Sequence, residues 1–300
     1  HYPLRRQRQM CIRDSGRCCF KRKRDNSLTT KIPMMIAVAP NGARKQKTDH
    51  PALPISPAEL AATAVQCQEA GACMVHLHVR DVQGGHSLDV DAYRLATTTV
   101  RDAVGPDMII QITTEAVGIY SVDQQIDMVR QVKPEAVSLA IRELCAHADD
   151  EVRAATFFSW LQAEKICPQY ILYSIEDVMR FNSLRQRGII PGDRVCVLFV
   201  LGRYSKTGAS SPEELLPMLR AVADDVVWSV CAFGASEAAC MLLAAELGGH
   251  ARVGFENNMQ LVNGDTASDN SALVTQVAHA VEGFQRTVAT GFEARAVIGL

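Results

Sequence analysis

The chain has 300 residues, of which 48% are hydrophobic, and its formal net charge is −2. The charge argues against nucleic acid as the main partner, and the length allows one large domain or two small ones. No apolar run is long enough to span a bilayer, and scattered cysteines are typical of small buried side chains in a reducing compartment. We therefore expect a cytoplasmic protein with no membrane partner.

The first 33 residues differ from the rest of the chain. Residues 1–31 contain ten Lys or Arg and two acidic residues, and subtracting that +8 from the total of −2 leaves −10 for the remainder. The segment has no hydrophobic period and lacks the apolar core of a secretory signal. Because "RQRQMCIRDS" also resembles translated sequencing-adapter read-through, we expect residues 1–33 to be a disordered or non-native basic head. A basic arm for nucleic acid or a targeting peptide is the alternative.

From Pro33 onward, apolar runs alternate with helical segments. The first run, "MMIAVAP", is followed by a helix that Ser56 can cap, with Pro57 at the first helical position and Glu59 three residues after the cap. Later runs predict strands at 73–81, 108–114, 135–141, 170–175, 194–202, 225–234 and 251–258. Helices are predicted after them at 88–104, 121–132, 150–164, 175–187, 211–222, 235–249 and 271–287.

This rhythm gives eight strand-then-helix units in succession. Continuously apolar strands indicate a parallel sheet that is covered on both sides. The pattern therefore predicts an α/β protein with a (β/α)8 TIM barrel over residues 34–300. A doubly wound open sheet is the alternative, disfavoured because no glycine-rich dinucleotide fingerprint follows the first strand. In such barrels, the catalytic residues lie at the carboxyl ends of the strands.

The second predicted strand carries the pattern "MVHLHVRD". His76 and His78 lie two residues apart, so they point to the same face of a strand. Glu256, at the end of the last predicted strand, is the best third ligand for an open metal site of two His and one Glu. The alternative is structural: one ring packed in the core and the other bonded to backbone. The spacing does not distinguish zinc from iron, manganese or cobalt.

Three motifs together resemble a known family: "APNGARKQKTDHPALPISPAELA", "HLHVRD" and "RVGFENN". Over roughly Met34 to Thr290, the chain is similar to the β-keto acid cleavage enzymes, which include the 3-keto-5-aminohexanoate cleavage enzymes. The resemblance implies a (β/α)8 barrel, usually a homotetramer, with a divalent metal, typically zinc, held by His76, His78 and Glu256. It also implies conversion of a β-keto acid plus acetyl-CoA to acetoacetate plus a new CoA thioester.

One departure from the family pattern affects the expected chemistry. Arg252 resembles a family arginine near the reacting carbon, although a structural ion pair is the alternative for it. The characterised family type has an aspartate where this chain has Asn257, and an amide cannot accept a proton. We therefore hypothesise that Glu115, at the end of the third strand where the family type has a glycine, supplies the catalytic carboxylate.

Further departures concern the substrate. Amino-substrate members carry a glutamate where this chain has Arg44, and this reversal of charge predicts a β-keto acid with an anionic or polar distal group. Arg44 facing solvent or a CoA phosphate is the alternative. Ala140 stands where some members have a polar residue. The remaining candidates for substrate binding are Asn257 and the hydroxyl groups of Thr113, Thr114 and Ser138.

Two other functions stay open at this point. A metal-dependent keto-acid aldolase or decarboxylase would use the same chelating substrate without CoA. A catalytically silent metal-binding barrel would explain the amide at position 257. The need for acetyl-CoA and the presence of turnover separate these possibilities.

Overall fold

A closed barrel of eight parallel strands forms the centre of the protein. The computed structural model describes residues 32–205 and 208–300. Residues 1–31 of the predicted basic head lie outside the described part. The strands are β1 (Ile36–Val38), β2 (Met74–Leu77), β3 (Val79–Arg80), β4 (His86–Ser87), β5 (Ile109–Thr113), β6 (Ala136–Ala140), β7 (Cys167–Leu172), β8 (Val195–Leu201), β9 (Val226–Ala232) and β10 (His250–Val253). All except β3 and β4 belong to the barrel, and β10 closes it by pairing with β1. The predicted (β/α)8 barrel is confirmed, and the open sheet is excluded.

Helices follow the barrel strands as the sequence predicts. The Ser56 hydroxyl accepts a hydrogen bond from the Glu59 amide, and the Glu59 carboxylate accepts one from the Ser56 amide, which is the capping box expected there. The chain adds a C-terminal helix that we did not predict. The helices are α1 (Pro57–Glu69), α2 (Val90–Val104), α3 (Val122–Val132), α4 (Ile141–Leu144), α5 (Glu151–Ala163), α6 (Ile175–Gln186), α7 (Leu215–Ala221), α8 (Glu237–Leu247), α9 (Asn270–Glu282) and α10 (Gly291–Ile298).

The core explains why the strands read as continuous apolar runs. Every residue of β8 is buried, because one face packs on helices and the other fills the barrel. At the amino ends of the strands, Ile298 of α10 packs against Cys167 and Cys196 in the barrel interior. The cysteines of the described residues are buried and free, in agreement with their predicted role as small core side chains. No helix within residues 32–205 and 208–300 is both long and apolar enough to cross a bilayer.

The predicted strand over residues 73–81 is interrupted at His78. Strand β2 ends at Leu77, and β3 leaves the barrel to pair antiparallel with β4, with Arg80 opposite His86. The guanidinium of Arg80 donates to the carbonyl oxygens of Asn41, Gly42 and Lys45, which anchors the loop after β1. The short ribbon formed by β3 and β4 therefore stands at the end of β2 and brings His86 beside His78.

Candidate functional site

A cavity of about 410 Å³ opens at the carboxyl ends of the barrel strands. This is the end at which barrel enzymes carry their chemistry. The structure brings together every residue that the sequence suggested for the site. The cavity wall includes Arg44, His76, His78, Thr113, Thr114, Glu115, Ser138, Arg252, Glu256 and Asn257.

Three possible metal ligands converge in the floor of this cavity. The Nε2 atoms of His76 and His78 are 3.2 Å apart. Glu256 Oε2 lies 3.6 Å from Nε2 of His76 and 3.3 Å from Nε2 of His78. Strand β1 lies between β10 and β2, so the cluster bridges the barrel mouth across one intervening strand.

The spacing of these atoms fits a small divalent cation. Four ligands held at about 2.0–2.1 Å in a tetrahedron are roughly 3.3 Å from one another, which matches the three observed separations. Two imidazoles and one carboxylate leave the fourth position for water or substrate. The donor set also suits several first-row metals, so the geometry does not choose among them.

The electrostatic surroundings favour the protonation states that metal ligands need. Burial, with the charge on Arg252 adding to it, lowers the pKa of His76 to about 3, so this imidazole stays neutral. Burial alone would raise the pKa of Glu256, but the positive charge of the adjacent Arg252 guanidinium outweighs it and holds that pKa well below its usual range. A neutral imidazole and an ionised carboxylate are ready to bind a cation without losing protons.

A sharp turn, rather than the predicted strand end, presents Glu256. Strand β10 stops at Val253, and Gly254 adopts a φ of +131°; a side chain there would place its Cβ 2.4 Å from the Ala39 carbonyl oxygen. The amide of Glu256 donates to the same Ala39 oxygen at 3.1 Å. Lys45 Nζ donates to the carbonyl oxygens of Phe255 and Glu256. The close approach of two backbones therefore fixes where the carboxylate lies.

Arg252 is buried beside the three candidate ligands. Its Nη2 donates to Glu256 Oε1 at 2.9 Å and contacts Cys231 Sγ at 3.2 Å. Burial raises the pKa of the Cys231 thiol to about 11, so this sulfur stays protonated and is no nucleophile at neutral pH. The ion pair leaves the second oxygen of Glu256 directed at the histidines.

Several polar atoms in the cavity wall are unpaired. Counting only the described residues as partners, Glu256 Oε2, Ser138 Oγ and Asn257 Nδ2 are buried and make no hydrogen bond. Asn257 Oδ1 is 3.5 Å from Arg252 Nη2, so its amide NH2 group is the free end. Buried polar groups are normally paired, so one unpaired acceptor and two unpaired donor groups are the atoms of this cavity with which a bound substrate would form hydrogen bonds.

The predicted hydroxyl donors are not equivalent. Thr114 Oγ1 donates to the Ser138 carbonyl oxygen at 3.3 Å, so its proton is already used within the sheet. Thr113 Oγ1 accepts from the Glu115 amide at 3.1 Å, which orients the loop after β5. The Ser138 hydroxyl has no partner among the described residues, and Thr113 only accepts, so these two hydroxyl groups keep a proton that they can donate to a substrate.

Two further carboxylates line the outer part of the cavity. Glu115 Oε1 forms an ion pair of 2.8 Å with Arg44 Nη1, and its Oε2 lies 3.9 Å from His78 Nδ1. Glu143 accepts a hydrogen bond from the Ala116 amide at 3.1 Å. Burial raises the pKa of Glu143 to about 7. The cavity thus holds carboxylates that are not committed to the three-ligand cluster.

Sequence reasoning missed three residues that support the site. Gln111 Oε1 is 2.8 Å from His76 Nδ1, and His86 Nδ1 is 3.4 Å from His78 Nδ1. Lys45 holds the turn that carries Glu256. Only Lys45 had a signal in the sequence, namely its place in the loop after the first strand.

A closed barrel with a cluster of two histidines and one glutamate at the carboxyl ends of its strands is an arrangement typical of (β/α)8-barrel enzymes. The family model described as "beta-keto acid cleavage enzyme" matches residues 33–300. The chain therefore belongs to the β-keto acid cleavage enzyme family, which confirms the resemblance indicated by its three motifs.

Individual relatives agree with this assignment. The chain is 30% identical over 276 residues to the 3-oxoadipate:acetyl-CoA acetyltransferase of Cupriavidus necator, a match that covers 89% of this chain and 95% of that protein. It is 29% identical to a 3-keto-5-aminohexanoate cleavage enzyme of Acetoanaerobium sticklandii, over 89% and 98% of the two chains. The solved binary complex of ObcA with oxaloacetate superposes with a TM-score of 0.68 at 19% identity, over 83% of this chain and 68% of that one, and supports the fold.

Proposed function

We propose that this protein converts a β-keto acid and acetyl-CoA into acetoacetate and a new CoA thioester, with the help of a divalent metal ion. The observation that carries the proposal is the convergence of His76, His78 and Glu256 in one cavity, whose wall also has buried polar atoms without a hydrogen-bond partner among the described residues. The names of relatives that act with acetyl-CoA support the choice of co-substrate.

His76, His78 and Glu256 would hold the ion, for which zinc is our first choice. A divalent cation there supplies Lewis-acid stabilisation of the enolate charge that forms when a β-keto acid loses its α-proton. Metal analysis of the purified protein tests this part. The His76→Ala variant should lose the ion and remain folded, because an alanine replaces a ring at the cavity surface of the barrel. The homotetramer that the family resemblance implies is a separate prediction, tested by light scattering.

The remaining polar groups of the cavity bind and orient the substrate. Ser138 Oγ and Asn257 Nδ2 are unpaired donors, when partners are sought among the described residues, and suit the carboxylate and ketone oxygens of a β-keto acid. Arg252 is buried in the same wall, and its fixed charge stabilises negative charge that develops on the reacting oxygens. Thr113 and Thr114 keep the strand end in place through hydrogen bonds of their own.

Glu115 is our proposed base. It removes the α-proton, and the resulting carbanion attacks the acetyl carbonyl of acetyl-CoA, which forms a carbon–carbon bond and expels the CoA thiolate. The thiolate then attacks the ketone carbon of the original substrate. Cleavage of the bond between that carbon and the α-carbon releases the new thioester, and the acetoacetate carbanion takes the proton back from Glu115. Atoms and charge balance over the cycle.

The charge of the cavity favours an anionic substrate. Its wall has four basic side chains, namely Arg44, Lys45, Arg203 and Arg252. It has three acidic side chains, namely Glu115, Glu143 and Glu256. A divalent ion would increase the positive excess, and an excess of one sign concentrates substrates of the other. We therefore propose a keto dicarboxylate, a class to which the substrate named for the Cupriavidus relative belongs.

One coupled assay tests the proposal. The metal-loaded protein is incubated with keto dicarboxylates, neutral β-keto acids and cationic β-keto acids, each with and without acetyl-CoA, and acetoacetate is measured. We expect acetoacetate only with acetyl-CoA, and most from a keto dicarboxylate. Loss of the substrate without acetyl-CoA would indicate an aldolase or decarboxylase. If a cationic substrate reacted fastest, the argument from the charge of the cavity would be wrong. Bound metal without any turnover would indicate a catalytically silent metal-binding barrel.

A further inference from the structure

The two histidines of the cluster are held by different partners at their second ring nitrogens. His76 on β2 stands directly opposite Gln111 on β5, and its Nδ1 lies 2.8 Å from Gln111 Oε1. Gln111 Nε2 donates to Gln169 Oε1 at 3.2 Å, so the amide oxygen is the end that faces His76. An amide oxygen only accepts, and therefore the proton of neutral His76 resides on Nδ1.

The second histidine is held by a third imidazole. His86 Nε2 lies 2.8 Å from the carbonyl oxygen of Glu115, which can only accept, so His86 carries its proton on Nε2. The Nδ1 atom of neutral His86 is then an acceptor, and it lies 3.4 Å from Nδ1 of His78. His78 accordingly carries its proton on Nδ1. Through these two hydrogen bonds, the carbonyl oxygen of Glu115 determines the tautomer of His86, and His86 determines the tautomer of His78.

Both tautomers have the same consequence for the cavity. With protons on the Nδ1 atoms, the Nε2 atoms of His76 and His78 present lone pairs to each other at 3.2 Å and to the carboxylate of Glu256. Three electron-rich atoms then converge with no proton between them. A cation is the partner that satisfies all three.

We propose that His86 and Gln111 are positioning residues that lock His78 and His76 in the tautomer whose Nε2 atoms bind the metal. The proposal rests on the metal role given to the cluster in the proposed function. Partners of this kind fix the ring orientation and the tautomer of ligating histidines, and losing one typically weakens metal binding about 10–100-fold.

The position of His86 in the fold explains how it can orient the ring of His78. It lies on β4, whose pairing with β3 begins immediately after His78, so the ribbon connects the two rings over a short stretch of chain. Its backbone oxygen accepts from the Tyr120 hydroxyl at 3.3 Å, and its ring packs edge-on against the Tyr120 ring with centroids 6.1 Å apart. The buried ring therefore has a fixed orientation toward His78.

A pair of substitutions separates this role from a merely structural one. In His86→Asn, the side-chain oxygen replaces Nδ1 and still accepts from His78, whereas the donor to the Glu115 carbonyl is lost. In His86→Gln, the longer amide reaches toward that carbonyl, whereas the acceptor beside His78 is lost. Gln111→Met removes the acceptor beside His76 at nearly constant volume.

The measurement is the affinity of the purified, metal-stripped full chain for Zn²⁺ and Co²⁺, by competition with a chromophoric chelator, together with the Co²⁺ absorption spectrum. We expect His86→Asn to bind within about threefold of the wild type, and His86→Gln and Gln111→Met to bind about 10–100-fold more weakly. Thermal unfolding of the metal-free variants verifies that each is folded. If His86→Gln fails to fold, Gln111→Met carries the test alone.

The opposite order, with His86→Gln tight and His86→Asn weak, would show that His86 serves the Glu115 loop and would overturn the proposal. Unchanged affinity in His86→Gln and Gln111→Met would overturn it as well. Since the readout is metal affinity, a protein that binds metal in the expected order but turns over no keto acid would support this inference while refuting the proposed reaction. A wild-type protein that binds neither ion would refute both.

Discussion

Arg44 and Glu115 form an ion pair across the mouth of the cavity, with 2.8 Å between Nη1 and Oε1. Both side chains keep contact with solvent, since 54% of Arg44 and 25% of Glu115 are exposed. The residue proposed to select the substrate and the residue proposed to move its proton are therefore in direct contact. A substitution at either residue therefore changes both the recognition of substrate charge and the proton transfer.

Replacing Glu115 tests its role as the base. Glu115→Gln keeps the size of the side chain and a hydrogen-bonding oxygen for Arg44, but removes the proton acceptor. We expect kcat to fall by about 10²–10⁴, the usual contribution of general base catalysis, with unchanged metal content. Glu143→Gln is the comparison, because Glu143 lines the same cavity but forms no ion pair with Arg44, and a smaller fall in kcat is expected. A larger effect of Glu143→Gln would assign the proton transfer to Glu143 instead.

Replacing Arg44 tests the choice of substrate. Because Arg44→Gln also alters the surroundings of Glu115, all substrates should slow down, and the informative quantity is the ratio of kcat/KM for a keto dicarboxylate to kcat/KM for a neutral β-keto acid. We expect this ratio to drop about tenfold, the effect of roughly 1.4 kcal/mol of lost attraction. Arg44→Lys keeps the charge and should preserve most of the ratio. An unchanged ratio in Arg44→Gln would mean that Arg44 acts only on Glu115.

The alternation of strands and helices and the pairing of His76 with His78 were predictable because both depend on short-range patterns. The alternation of apolar runs and capped helices, such as the one that begins after Ser56, requires only local sequence. The shared face of His76 and His78 follows from the two-residue period of a strand. Glu256 could be chosen because the strand ends of a barrel meet in one place, although the turn at Gly254 presents it and not the strand itself.

The partners of the cluster depend on features that the sequence does not reveal. Gln111 faces His76 only because of the register between β2 and β5. His86 reaches His78 only because the chain leaves the barrel after Leu77 and folds back as a ribbon, whereas the apolar run through residues 73–81 indicated one continuous strand. Tertiary contacts decide such breaks, and local propensity is a weak guide to them.

Glu143 should make the stability of the protein depend on pH. Burial, aided by the charge of Glu115 and opposed by the Ala116 amide, Arg44 and Arg142, raises its pKa from 4.5 to about 7. The folded protein holds this proton more tightly than the unfolded chain does, so the stabilising contribution is complete below pH 4.5 and is lost as the pH rises through 7. Stability contributed by this group therefore decreases between those values.

The check compares urea unfolding of the wild type and Glu143→Gln, in which a neutral amide replaces the acid. Near pH 5 the two should be similarly stable, and near pH 8 the variant should be more stable by about 1–2 kcal/mol, a figure reduced because solvent partly reaches the carboxyl group. Other titrating groups are the same in both proteins. The change with pH in the difference between their free energies of unfolding therefore comes from Glu143. A difference that does not change with pH would contradict the assignment.

Gly42 should be essential for the position of Glu256. It has a φ of +60°, and a Cβ added there would lie 2.6 Å from Glu256 Cγ, so Gly42→Ala must displace the carboxylate that completes the cluster. Gly188→Ala is a matched control, since Gly188 also has a positive φ, +72°, but has open space where its Cβ would be. Both variants should lose about 1 kcal/mol from backbone strain, as measured by urea unfolding of the metal-free protein. Only Gly42→Ala should also bind Zn²⁺ at least tenfold more weakly, and equal Zn²⁺ affinity in the two variants would show that the loop after β1 does not set the geometry of the site.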